Sequence, residues 1–517
     1  MKATIVAVLL CVFCASTASA KIKWTNNVKG PRGELPAVPA AKGFGVYTRP
    51  AKNARVYKVT NLKEKGRGSL EDCINGKGNR VCVFEVAGRI KYRNILKINN
   101  PNIHIAGQTA PHPGIVIQAP QSIIRTSNVV IEHVRFMSSD EITNRNIRDT
   151  KGYHNRDALA IESYRPIKNI FLNHVSINFG IDSNLDVWGN INNVSIRNSL
   201  IALPLHYSMH VDRSRGSWRD LQPHAMNLLI GHAVGNIDVT RSVLGYAHDR
   251  QPRSGAKNLF FSENVVYDSS RNIFVDLYTK RGGNRTVESN VVGNIFISKR
   301  SSRQSIVNLW AERNSRINLY ASKNNLLLRN GRTVRTPSAR QSVIDRKRGG
   351  YSRISSRPVK TPHRQSIPRS PVRERTVLDN AGARPAFRIQ LERDIVRNIK
   401  SRRGELVNCY HERGDHRFDQ VLRRYAKYPG KNAPSIRDRC ELDRKGWNGW
   451  RRWLLSTRIM KRHSLDPRMP SKRDMNRVLP SGYTQLEAFL HACSRKVENN
   501  HGDCHRRAID KRGRGWD

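Results

Sequence analysis

From about residue 100 onward the chain repeats one pattern: a short run of alternating apolar and polar residues, opened by asparagine and followed by a polar loop of variable length. Asn128 to Phe136, Asn169 to Ile177 and Asn192 to Asn198 are the clearest copies, and the pattern returns at Asn236 to Thr240, Asn258 to Asn264 and, opened by arginine, Arg316 to Tyr320. Successive runs stand roughly 22 to 30 residues apart, or about twice that where a loop is long, which is the period of a solenoid whose coils each contribute a few short strands. Alternation within a run puts Val, Ile, Leu and Phe on one face, as a strand enclosing a core requires. Asparagine at the head of a run suits a corner, because it tolerates left-handed backbone and bonds to its neighbours. A β-sandwich would show turn signals every ~8 to 12 residues and no longer repeat. The pattern predicts an all-β protein, a right-handed parallel β-helix.

The ends of the chain have a different texture. Lys2, the apolar run Ala3 to Ala15 and the small residues Ala18, Ser19 and Ala20 have the layout of a cleaved secretory signal, which predicts a mature chain starting near Lys21 and an extracellular location. That run is shorter than the ~20 residues a membrane-spanning helix needs, and no later stretch is apolar enough to span. Between residues 329 and 375 Arg, Ser, Pro and Thr dominate and Asp345 and Glu374 are the only acids, so this segment reads as a mobile cationic insertion. Helical spacing marks Arg388 to Lys400, Arg417 to Tyr428 and Tyr483 to His491. The predicted organisation is a signal at 1–20, the β-helix at 21–328, the basic insertion at 329–375, and a small helical, Cys-containing region at 376–517 packed against one end of the solenoid.

Composition narrows the partner. The formal charge is +51 over 517 residues, an excess that favours polyanionic partners and opposes self-association, so a monomer is expected. Nucleic acid is the obvious polyanion, but the chain carries an export signal and lacks zinc-finger spacing, a basic zipper or a stacking motif that would turn charge into readout. Acidic polysaccharide, or an anionic extracellular matrix or mineral, fits better. Cys11 and Cys14 leave with the signal, and the remaining even set, Cys73, Cys82, Cys409, Cys440, Cys493 and Cys504, predicts disulfides. Cys73 and Cys82 flank the short turn Asn75 to Gly78 and are expected to pair with each other; the connectivity of the other four stays open, and they show no short Cys-x-x-Cys spacing for zinc. Asn193 and Asn284 head candidate glycosylation triplets.

Specific strings then point to a family. Gly43 to Tyr47, Val56 to Leu62, Gly66 to Leu70 and Ile105 to Pro111 resemble the N-terminal signature of the bacterial-type pectate lyases, and the resemblance resumes at Val377 to Pro385 and Gly482 to Glu487. It covers most of the mature length. It implies a secreted, calcium-dependent polysaccharide lyase on a parallel β-helix, cleaving polygalacturonate or a related polyuronate by β-elimination.

That reaction removes the weakly acidic C5 proton of a uronate, so the neighbouring carboxylate has to be neutralised and the developing enolate charge held. A hard cation on carboxylate oxygens and a nearby base would do both. Asp182 and Asp186 stand four apart and on extended chain project from one face, and Asp157 lies one repeat earlier; on consecutive coils the three could stack into one site. The resemblance matches the same three aspartates to the family's calcium ligands, although Asn155 stands where many relatives carry another Asp, with Arg156 beside it. The string His248 to Gly255 is similar to the family's Arg-x-Pro-Arg segment, which implies Arg250 as proton acceptor and Arg253 as a binder of substrate carboxylate. Arginine is a poor base in water, with a pKa above ~12, so the role needs surroundings that disfavour its charge. Leu221 occupies the place of a substrate-binding lysine, for which Arg215 or Arg219 could substitute. His206, His210, His224, His232 and His248 follow no ligand spacing and read as polar residues stacked on successive coils. The rival reading, carried by Asn155, Leu221 and the basic insertion, is a lyase-derived matrix protein that binds acidic glycans or mineral without turnover.

Overall fold

The computed structural model describes residues 29–138, 156–206, 224–269, 273–298, 305–330, 333–334, 343–345, 349–363, 365–404, 406–407, 469–499 and 504. Leu159–Asn173 shows the rule of the fold: its start pairs with Leu185 to Val187 and its end with Val194 to Arg197, both in parallel. The chain next turns into Ser176–Asn178, which pairs with Leu200 and Ile201, and then re-enters at Ser183–Arg197. Repetition of this cycle builds three parallel ladders, the faces of a parallel β-helix. The first face runs through Leu159 to Ile161, Leu185 to Val187, Met226–Ile230, Arg253–Ser254 and Ile273–Tyr278. The second runs through Ile170 to Asn173, Val194 to Arg197, Asn236–Thr240, Asn258–Ser262 and Thr286–Val292. The third runs through Ser176–Asn178, Leu200–Ala202, Val243–Ala247, Val265–Ser269 and Ile295–Ser298.

Because register is kept from coil to coil, like sits on like inside. On the second face Ile105, Ile131, Leu172, Ile196, Val239, Phe261 and Val291 form one buried column. On the third face Ile117, Phe136, Ile177, Ile201, Leu244, Val266 and Phe296 form another. Each such side chain contributes about 1.5–3 kcal/mol on burial.

The corners explain the repeated asparagines. Asn128, Asn169 and Asn193 hold left-handed backbone, with φ of 59°, 63° and 56°, between the first and second faces. Their amides form a ladder: Asn128 donates to Asn102, Asn169 to Asn128, Asn193 to Asn169, Asn236 to Asn193 and Asn258 to Asn236, over 2.7 to 3.3 Å. Between the second and third faces the chain turns at a single left-handed residue per coil: His133, His174, Asn198, Arg241, Glu263 and Lys323, with φ between 49° and 56°. Sequence patterning reads straight through this corner, so Asn128 to Phe136 is two strands, Val129–Glu132 and Val134–Met137.

Four α-helices among the described residues cover the flanks. Helix α1 (Leu70–Asn75) buries Leu70, Cys73 and Ile74, and the expected Cys73–Cys82 bond is present. Arg80, fully buried, donates to the carbonyls of Cys73 and Ile74 at the end of α1 and to those of Gly78, Asn100 and Pro101. Helices α2 (Glu374–Asn380) and α3 (Gln390–Lys400) lie on the outside of the third face, where Ile389, Leu391, Ile395 and Ile399 pack with Leu200, Val243 and Val265. Helix α4 (Gln485–Glu498) lies outside the first coils of the second face, with Leu486, Phe489 and Leu490 against Val81 and Val83, and Cys493 bonds Cys504. The C-terminal helices therefore cover two flanks instead of packing against one end.

Part of the segment read as a mobile insertion continues the solenoid. Val343–Asp345 pairs in parallel with Val307 to Leu309, and Tyr351–Ile354 with Arg316 to Leu319. Farther on, the backbone at Val359 and Lys360 bonds the Asn290 amide. The signal at 1–20, the helix expected at 417–428, and Cys409 and Cys440 lie outside the described residues. Among the described residues no helix is long and apolar enough to cross a membrane.

Candidate active site

Two consecutive coils begin their passage along the first face with an aspartate. Gly180 makes the second entry possible: a Cβ there would stand 1.9 Å from the Ser183 carbonyl oxygen, so only glycine allows the turn to close that tightly. The Gly180 N–H donates to Asn184 Oδ1, and the Ile181 and Asp182 N–H groups donate to the Arg156 carbonyl on the preceding coil. Asp157 and Asp182 are thus brought to one edge, and Asp186 stands two pairs into the strand, opposite Ala160.

The partners of the three carboxylates differ. Asp157 is nearly fully buried; its Oδ1 accepts from the Ser183 N–H at 2.9 Å and its Oδ2 from Gln121 Nε2 at 3.2 Å. Asp182 Oδ1 lies 2.7 Å from His224 Nε2 and 3.6 Å from Arg250 Nη1. Asp186 Oδ1 is buried with no hydrogen-bond partner. Burial, and then the neighbouring charges of Asp186 and Asp182, push the Asp157 carboxyl well above the usual carboxylate range. Asp186 is pushed up to about 8, first by burial and then by Asp182, with Arg250 opposing.

Arg250 follows Asp249, takes left-handed backbone (φ 60°) and donates its N–H to Asp249 Oδ1 at 2.7 Å. Its guanidinium Nη1 donates to Ser183 Oγ at 3.0 Å, on the coil that carries Asp182 and Asp186. Arg253 stands in the outward row of the first face that runs Asp186, Leu229, Arg253, Asp276, about 10 Å from Asp186 at ~4.8 Å per coil. Its Nε lies 3.6 Å from Asp276 Oδ2, and its guanidinium covers the Tyr278 ring at 4.9 Å. Arg215 and Arg219, and the two departures Asn155 and Leu221, lie outside the described residues.

The aspartates fit a hard cation. A buried, unpartnered carboxylate oxygen on Asp186, and two carboxyls raised by burial and then by neighbouring aspartate charge, are the signature of negative charge gathered without its counter-ion. Among the described residues no three or more His, Cys, Asp or Glu side chains are already gathered closely enough to hold a metal ion. Calcium held there would complete its shell with water and ligand oxygens.

Sequence reasoning did not find Gln121, Asp276 or Tyr278, which come from other coils and carry no motif, nor Ser183, which adjoins Asp182. His224 was visible only as one of five histidines; it bonds Asp182, while His206 stacks on His248 at 5.4 Å. The amides of both candidate glycosylation asparagines make hydrogen bonds in the fold. The Asn193 amide nitrogen makes one donation, in the corner ladder, and that of Asn284 donates to the Val234 and Gly255 carbonyls at 2.8 and 3.0 Å, so a glycan on Asn284 would displace a structural bond.

Fold and site together define a parallel β-helix protein with an acidic edge and two arginines on one outer face. No family model matches the chain. Curated relatives do: "Probable pectate lyase C" of Aspergillus flavus and of Aspergillus oryzae are each 29% identical over 266 residues, and that of Emericella nidulans is 26% identical over 235. Over about half its length the chain is thus similar to proteins named pectate lyase. It spans about half the length of the curated relatives it matches, 55% for the first two and 48% for the third. Similar solved structures include jun a 1, the major allergen from cedar pollen (15% identity, TM-score 0.44, covering 66% of this chain and 92% of that one), and the thermostable pectate lyase PL 47 (13%, 0.44, 66% and 96%).

Proposed function

We propose that the chain is a calcium-dependent polysaccharide lyase that works outside the cell and cleaves polygalacturonate or a related polyuronate by β-elimination. The observation that carries this reading is the meeting of Asp157, Asp182 and Asp186 with Arg250 on one edge. Relatives named pectate lyase support the substrate class. Asp157, Asp182 and Asp186 would hold calcium through their carboxylate oxygens. When bound, calcium would neutralise the uronate carboxylate and hold the charge that develops as C5 loses its proton.

Arg250, as the neutral guanidine, accepts that proton at the side chain that Ser183 and Asp182 hold. The C5–H electron pair becomes the C4–C5 double bond, the C4–O bond breaks, and the leaving oxygen is protonated from solvent. Arg253, steadied by Asp276 and Tyr278, binds a uronate carboxylate two coils away. The test is the rise in absorbance at the unsaturated-uronide band. It is expected on polygalacturonate with calcium, to vanish with chelator, and to fall on the order of 100-fold or more in Arg250→Ala. Absence of a calcium-dependent signal on every polyuronate tried overturns the reading.

A further inference from the structure

We propose that Trp188 is a sugar-stacking platform that forms, with the acidic edge and Arg253, a single binding groove along the first face; the inference rests on the polyuronate reading above. Trp188 lies two residues beyond Asp186 on the same strand, hence on the same outward side, and is half-exposed. Val187 pairs with Ile230, Ile230 with Ser254 and Ser254 with Leu277. The positions that follow these are Trp188, Gly231, Gly255 and Tyr278, and Tyr278 pairs in turn with Trp310. A second outward row therefore runs beside Asp186, Leu229, Arg253 and Asp276.

Two glycines form the floor of that row. A Cβ at Gly231 would stand 2.9 Å from the Trp188 ring, and one at Gly255 would stand 3.0 Å from the Tyr278 ring. The indole and the phenol thus lean along the face over bare backbone. His232 is wedged between them, 5.0 Å from Trp188 at 83° and 6.5 Å from Tyr278 at 64°. Tyr278 is nearly buried, with Arg253 over its ring; Trp188 keeps accessible surface, beside the carboxylates.

The two rows offer complementary chemistry. Asp186, Arg253 and Asp276 address the charged and hydroxylated edge of a uronate, whereas a flat aromatic ring meets the apolar C–H face of a pyranose. Stacking of this kind acts on the sugar ring itself and is insensitive to the salt that screens an arginine–carboxylate contact.

The experiment titrates the full chain, with calcium, by oligogalacturonates of increasing length in low and high salt, alongside turnover of polygalacturonate. Trp188→Ala is expected to weaken binding of the longer oligomers about tenfold or more, with the loss persisting in high salt, while Trp188→Phe stays within about threefold. Gly231→Ala, which displaces the indole without removing it, falls between the two. Thermal unfolding confirms that each variant is folded. If the parent chain turns over polygalacturonate and Trp188→Ala binds within about twofold of it, the platform is wrong and the lyase reading stands. If the parent neither binds nor cleaves any polyuronate, both fall together.

Discussion

The asparagine corner and the aspartate edge both gather short polar side chains from neighbouring coils, the corner in register and the edge out of it, and they end in opposite states. At the corner each amide carries both a donor and an acceptor, so Asn128, Asn169 and Asn193 satisfy one another over 3.1 and 3.3 Å and the stack closes on itself. At the edge Asp157, Asp182 and Asp186 carry only acceptors; one buried oxygen is left alone, and burial together with the neighbouring charges drives two carboxyls upward. The lesson is that a β-helix amplifies whatever the side chain brings. Amides repeated in register become structure; carboxylates gathered from neighbouring coils become a demand for a cation.

The largest expected effect comes from making the edge resemble the corner. Asp186→Asn removes the charge that raises Asp157 and gives the lone oxygen's residue a donor. The variant should lose on the order of 100-fold in calcium-dependent turnover and gain about 1 kcal/mol of stability in chelator, where like-charge repulsion is relieved. Melting with and without calcium checks this: calcium should raise the parent's midpoint and leave the variant's almost unmoved. A variant whose calcium response equals the parent's would mean that Asp186 is no ligand.

The converse change makes the corner resemble the edge. Asn169→Asp removes the donor to Asn128 Oδ1 and sets a carboxylate against it. The expected loss is about 1–3 kcal/mol in urea unfolding at neutral pH, smaller below the carboxylate's own titration. A change under about 0.5 kcal/mol would show that the amide ladder decorates the corner without holding it.

A third stack tests the comparison with groups that switch. Under α4 the rings of His133 and His174 lie parallel at 4.8 Å; His133 Nε2 meets Ser494 Oγ at 2.6 Å, and Glu498 stands 3.5 and 3.6 Å from the two Nε2 atoms. His174 is held down to about 4, by burial first, with Glu498 opposing, His133 adding to the depression, and the Gly382 carbonyl and Glu132 opposing. His491 on α4 is likewise held down to about 4 by burial, against the Ala37 carbonyl, Glu132 and Glu487, with His104 adding to the depression. Both folded values lie below the ordinary 6.5. The unfolded chain therefore takes up protons first, and the stability these residues contribute is present above pH 6.5 and lost as pH falls through 4. Over that window stability should drop by a few kcal/mol on the order of the two shifts. A His174→Gln, His491→Gln double variant should flatten the slope, and an unchanged slope would place the acid sensitivity elsewhere.

These contrasts also mark how far the sequence could be read. The asparagine corner was legible because one residue type recurs where left-handed backbone is needed. The next corner was not, because His133, Asn198, Arg241 and Glu263 fill one conformational position with unrelated side chains. The strand Tyr351–Ile354 was hidden by a run of Arg and Ser, since a late coil needs few apolar positions to continue a ladder. At the site, the aspartates and Arg250 were legible from motif and spacing, whereas Gln121, Ser183 and His224 act on them from other coils. Such contacts follow from register, and register depends on loop lengths that no local pattern encodes.

The smallest expected effect separates a sequence motif from a structural amide. Thr286 completes the triplet at Asn284, is exposed, and heads the strand Thr286–Val292, whereas Ser195, its counterpart at Asn193, is buried and donates its hydroxyl to Asp238. Thr286→Val removes the glycosylation signal while leaving both amide bonds of Asn284 intact; valine suits a strand at least as well as threonine. In a secreting host the variant and the parent should have the same mass per chain and unfold within about 0.5 kcal/mol of each other. Asn284→Gln, which leaves the same sequon broken but pulls the amide away from Val234 and Gly255, should cost about 1–2 kcal/mol. A mass difference between parent and Thr286→Val would show that the nitrogen is glycosylated before the coil closes around it, and that this loop, unlike the corner, folds after its chemistry is done.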